Sequence, residues 1–128
     1  MKLMLHVAPG IVRKPIVSSV ILETKALINI ERAKVDAVSG EIVIDVDSDR
    51  CSEVKAAFER MGVRVVLLEN PIIKDEDECV HCGACISICP TGTFRFEGSL
   101  VVADAGKCVQ CGTCVTACPQ RALKLILK

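Results

Sequence analysis

The chain has 128 residues, 51% of them hydrophobic, and its 16 basic and 16 acidic side chains divide ten and ten before Pro71, six and six after it. That balance excludes a basic face for nucleic acid, and no apolar run reaches the roughly 18 residues of a membrane span. The opening "MKLMLHVA" is too short, and too interrupted by His6, for a signal peptide; the expected location is cytoplasmic, where nine cysteines point to metal or cluster ligation rather than to disulfides.

The change of character near Pro71 predicts two small domains, residues 1–72 and 73–128, in an α+β chain. Leu3, Leu5 and Val7 alternate with Lys2, Met4 and His6, a strand signal that ends at Pro9-Gly10. Pro15 opens a helix to about Lys25, with Val17, Val20, Ile21 and Thr24 on one face. In "INIERAKVDA" Ile28 and Ile30 fall in one phase but Ala33, Val35 and Ala37 in the other, so a bulge is expected near Glu31-Arg32. Ser39-Gly40 turns the chain into a strand whose Ile42, Ile44 and Val46 face the core. Ser48 or Asp49 is the expected cap of a helix to Met61, with Cys51, Val54, Phe58 and Met61 at helical spacing and Gly62 as its stop. "VRVVLLE" is apolar on both faces. Val63, Val65 and Leu67 form one set, Val66 and Leu68 the other, and the second set calls for an interface with the other domain or with a second subunit.

Cys51, on the apolar stripe, is expected to be a small buried hydrophobe rather than a reactive thiol. This half holds no Ser/His/Asp set and no Gly-rich phosphate loop, so no catalytic residue is assigned. From "KPIVSSVILETKALINIERAKVDAVSGEIVIDV" to "GVRVVLLE" it resembles the NIL domain, an ACT-like fold at the C-terminus of methionine-transporter ATPases, where it binds methionine as a regulator. The resemblance covers about residues 2–70, and its marker falls at Asn29-Ile30-Glu31, with Glu31 in place of leucine. It implies a ferredoxin-like (ACT-like) βαββαβ sandwich; no ligand residue is carried over.

The second half contains one motif twice. "ECVHCGACISICP" and "KCVQCGTCVTACP" both read C-x2-C-x2-C-x3-C-P, 29 residues apart. In the bacterial-type run of this form three cysteines ligate one 4Fe-4S cluster and the fourth crosses to the other. Applied here, this assigns Cys79, Cys82, Cys85 and Cys118 to a first cluster, and Cys108, Cys111, Cys114 and Cys89 to a second. Zinc sites instead show two C-x2-C pairs across a longer loop. Gly83 and Gly112 permit the backbone bend that turns N–H groups toward sulfur. After the prolines Pro90 and Pro119, Phe94 aligns with Leu123 and Phe96 with Leu125, apolar positions expected to close a shell over the clusters. "TFRFEGSLVVA" reads as a hairpin around Glu97-Gly98-Ser99. His81 is expected as an exposed loop residue at the rim, ahead of a redox-linked proton site. Asp75-Glu76-Asp77-Glu78 reads as a solvated linker, with steering of a basic partner as the alternative.

Residues 75–128 thus resemble a two-cluster bacterial-type ferredoxin domain. A NIL-like domain fused to such a domain resembles a family of anaerobic archaea and some bacteria, the iron-sulfur subunits of L-aspartate semialdehyde sulfurtransferases that make homocysteine. The resemblance implies an electron-donating subunit, with a catalytic sulfurtransferase chain as partner and a low-potential electron donor upstream. Two other expectations stand beside it: a general electron carrier whose NIL-like domain binds methionine or a related amino acid, and a NIL-like domain that serves only to form a homodimer.

Overall fold

The computed structural model describes residues 1–69 and 71–126. It divides into two compact units, Met1–Leu68 and Glu69–Lys128. The division falls four residues earlier than the sequence suggests, because Ile72–Lys74 is a strand of the second unit, paired with Leu123–Leu125.

In the first unit the order is β1 (Lys2–Val7), α1 (Ile16–Thr24), β2 (Asn29–Val35), β3 (Gly40–Asp45), α2 (Cys51–Arg60) and β4 (Arg64–Leu68). The four strands form one sheet in the order β2-β3-β1-β4, and every neighbouring pair is antiparallel. Leu3, Leu5, Ile42 and Ile44 from the two central strands pack with Ile16 and Val20 of α1 and with Val54, Ala57 and Phe58 of α2. Each large apolar side chain among them contributes about 1.5–3 kcal/mol on burial, and this shared core holds the helices to the sheet. The β2–β3 register slips between Ile30 and Arg32, where the expected bulge lies.

Three features bear on the sequence expectation. Met4 does not sit outward with Lys2 and His6: it pairs in register with Val43 and Val66, and Met4 and Val43 are both fully buried. Neither Ser48 nor Asp49 caps α2. A turn closed by Arg50 N–H on the Asp47 carbonyl occupies 48–50, leaving Arg50 as the cap residue with no side-chain capping bond. The Arg50 guanidinium instead donates to the Thr24 carbonyl at the end of α1, an orphan acceptor that helix geometry leaves behind. Gly62 does end α2, at φ +86°, and a Cβ there would stand 2.8 Å from Ile11 Cδ1.

In the second unit β5 (Ile72–Lys74) pairs with β8 (Leu123–Leu125), and β6 (Phe94–Glu97) with β7 (Leu100–Ala103) in the expected hairpin. Between them lie α3 (Ala84–Ile88), a 3-10 turn (Ala105–Lys107) and α4 (Thr113–Ala117). Each short helix begins one residue after a glycine of positive φ, Gly83 at 82° and Gly112 at 81°.

Candidate functional site

Each motif is a loop running into a short helix. The first two cysteines, Cys79 and Cys82 or Cys108 and Cys111, lie in non-helical backbone; the third, Cys85 or Cys114, is the second residue of α3 or α4. The fourth, Cys89 or Cys118, leaves the helix in extended conformation with ψ 121° or 115°. That exit carries it away from its own motif.

Two cavities result. Cys79, Cys82, Cys85 and Cys118 line one, together with Val101, Ala122 and Leu123. Cys89, Cys108, Cys111 and Cys114 line the other, together with Phe94, Val109 and Leu125. Among the described residues no three His, Cys, Asp or Glu side chains converge tightly enough to hold a single ion. The sulfurs surround a wider space in each case.

Electrostatics follow the same grouping. Burial pushes the Cys85 thiol up, and the charges of Cys79 and Cys118 add to the effect. Burial pushes Cys114 up to about 11, reinforced by Cys108, Cys111 and Cys89. Cys89 moves the other way. Burial raises it, but hydrogen bonds from Thr93 and Thr91, by side chain and backbone, outweigh that and lower it to about 7. Thiolates gathered in one cavity repel one another, and a bound metal group carrying positive charge offsets that repulsion by holding all four deprotonated. The donor set therefore fits an iron-sulfur group.

The shell is less uniform than the alignment of the two repeats suggests. Phe94 and Leu123 are buried, whereas Phe96 is 52% exposed. His81 is half-buried and stands at φ 57°; its Nδ1 accepts the Val101 N–H at 2.9 Å and lies 3.8 Å from Cys79 Sγ. It is tied to β7 rather than free at a rim. Its counterpart Gln110, at φ 59°, is fully buried and donates through Nε2 to the Pro71 carbonyl at 3.3 Å. Sequence reasoning does not single out Lys74, which lines the first cavity with its side chain 5% exposed and paired to Glu76 at 2.7 Å. Nor does it single out Thr91, Thr93 and Thr113, which line the second. Only their spacing from the cysteines, two or four residues, carries a signal.

Among the described residues no helix is long and apolar enough to cross a membrane. Residues 71–119 match the model of a 4Fe-4S dicluster domain. Over 97 residues the chain is 42% identical to an L-aspartate semialdehyde sulfurtransferase iron-sulfur subunit of Methanosarcina acetivorans, covering 76% of this chain and 75% of that one. A protein of the same name from Methanocaldococcus jannaschii is 32% identical over 88 residues, covering 67% of this chain and 66% of that one. With its paired cysteine cavities, its dicluster match and this likeness over three quarters of a relative, the chain belongs to the family of L-aspartate semialdehyde sulfurtransferase iron-sulfur subunits.

Proposed function

We propose that this chain is the electron-donating subunit of a sulfurtransferase that forms homocysteine from aspartate semialdehyde and sulfide. It carries two 4Fe-4S clusters, the first on Cys79, Cys82, Cys85 and Cys118, the second on Cys89, Cys108, Cys111 and Cys114. The observation that carries this reading is the lining of each cavity by three cysteines of one motif and the fourth of the other.

Bound 4Fe-4S clusters supply one-electron carriage. Converting an aldehyde, hydrogen sulfide, two electrons and two protons to a thiol and water needs a pair of electrons, which two sites on one chain match. The chain's residues hold the sulfurs, exclude water with Phe94, Val101 and Leu123, and leave Cys82 and its neighbour Val80 exposed as an approach for a partner's acceptor. A low-potential donor reloads the sites. Substrate activation belongs to a separate catalytic chain, the partner implied by the name of the relatives.

The first unit is a NIL-like, ACT-like domain in this reading, supported by its βαββαβ order and antiparallel β2-β3-β1-β4 sheet. A cleft of about 440 Å³ lined by Lys34 and Arg64 as well as Asp36 and Glu41 favours a second role, regulation by a zwitterionic amino acid.

Anaerobic purification of the tagged chain from its own cells, with mass spectrometry of what stays bound, tests the main reading. A sulfurtransferase chain is expected, with homocysteine formed only when this subunit is reduced. Recovery of the chain alone, as monomer or dimer, would leave a freely diffusing carrier.

A further inference from the structure

The two cavities are built by a repeat, so differences between equivalent positions isolate what distinguishes them. Two backbone donors match: Thr93 N–H points to Cys89 Sγ and Ala122 N–H to Cys118 Sγ, each at 3.4 Å, and the second cavity also has Gln110 N–H on Cys108 Sγ at 3.4 Å. Hydroxyl donors do not. In the second cavity Thr113 Oγ1 is 3.2 Å from Cys111 Sγ and Thr91 Oγ1 is 3.6 Å from Cys89 Sγ. The residues 29 positions away are Ala84 and Gln120, and neither carries a hydroxyl.

We infer, on the reading that each cavity holds a 4Fe-4S cluster, that Thr91 and Thr113 give the second site the higher reduction potential, so that it takes the first electron. A hydroxyl donating to thiolate sulfur offsets negative charge, and reduction adds negative charge, so the donor favours the reduced state. Thr91 is the stronger of the two. Its Oγ1 lies 3.2 Å from that of Thr93, which is 1% exposed. The two hydroxyls are hydrogen-bonded to each other beside Cys89, so whichever of them donates within the pair, the proton of the other is left for the sulfur, and the chain strengthens that bond. Thr113 is exposed, and water replaces its hydroxyl at little cost.

Charge at the first site works in the same sense. Asp75, Glu76, Asp77 and Glu78 precede Cys79, where Asp104, Ala105, Gly106 and Lys107 precede Cys108. Lys74, beside the first cavity, is offset by its ion pair with Glu76. The first site, whose Cys82 is exposed toward the approach of a partner's acceptor, is thus the more strongly reducing of the two, and the second fills before it. Thr91 and Thr113 are positioning residues for that asymmetry.

The test is an anaerobic redox titration of the loaded full-length chain, followed by electron paramagnetic resonance, with iron and sulfide content measured on each variant. Two resolved one-electron steps are expected. Thr91→Val lowers the upper step alone and moves the electron about tenfold toward the other site, about 59 mV for one electron. Thr91→Ser restores it, and Thr113→Val shifts the same step less. An unmoved upper step in Thr91→Val, or a shift of the lower step instead, overturns the inference while leaving two clusters in place. Iron and sulfide for fewer than two clusters in the unaltered chain would overturn the cluster reading and this inference with it.

Discussion

The ring of Phe96 lies against the backbone of Gly83: a Cβ on Gly83 would stand 2.8 Å from Phe96 Cζ, and Gly83 holds φ at +82°. Contact and conformation each oppose a side chain at this position. Gly83→Ala is expected to destabilise the second unit by more than the about 1–3 kcal/mol of left-handed strain alone, and to lower iron loading at the first cavity. Adding Phe96→Ala removes the clash but not the strain, so the double variant recovers only part of the loss. Full recovery in denaturant unfolding would show that the φ of Gly83 is unimportant.

Cys118 and Cys89 are the residues that leave their own motifs. Cys118→Ser is expected to impair the site of Cys79, Cys82 and Cys85 and to spare the one built on Cys108, Cys111 and Cys114. Iron content would then fall from about eight toward about four per chain. Cys89→Ser should do the reverse. Mössbauer and magnetic resonance spectra distinguish the two variants, and loss of the cluster of the cysteine's own motif in either would refute the crossed assignment.

Removal of iron by a chelator exposes the thiols' own titration. Cys89 lies below its usual 9.0, at about 7, so its contribution to folded stability is present above pH 9 and lost as pH falls through 7. Cys114 lies above 9.0, at about 11; its contribution is present below pH 9 and lost as pH rises through 11. Iodoacetamide should therefore label Cys89 half-maximally near pH 7 and Cys114 only in strong alkali, with site-resolved mass spectrometry as the readout. Thr93→Ala should move the Cys89 profile upward. Coincident profiles for the two thiols would contradict the hydrogen-bond origin of the shift.

Local signals in the sequence predict the first unit well because they are also what its core uses. The phase slip between Ile30 and Ala33 marks the bulge, and the spacing of Val54 and Phe58 marks the buried face of α2. Met4 departs from its outward assignment because alternation describes a sheet with one wet face, and here the second face buries Met4 and Val43 as well. The cap of α2 departs from expectation because a turn closed from Arg50 to Asp47 competes with capping by Ser48 or Asp49. In the second unit the cysteine spacing makes the site legible. The pairing of Ile72–Lys74 with Leu123–Leu125 does not show in the sequence, since two short strands at opposite ends of the unit carry no local pattern. Nor does the Thr91–Cys89 contact, which depends on where Cys89 goes after leaving α3.

Cys51 stands apart from all eight motif cysteines. It is the first residue of α2, 7% exposed, and packed in the same core as Val54 and Phe58. A thiol there behaves as a small apolar group. In the folded, loaded protein at about pH 8, near the ordinary thiol range, it should resist iodoacetamide and react only after unfolding. Cys51→Ala should cost about 1 kcal/mol through the lost sulfur contacts, with iron content and both redox steps unchanged. Rapid labelling in the native state, or loss of either cluster in Cys51→Ala, would mean that this thiol serves the redox chemistry rather than the core.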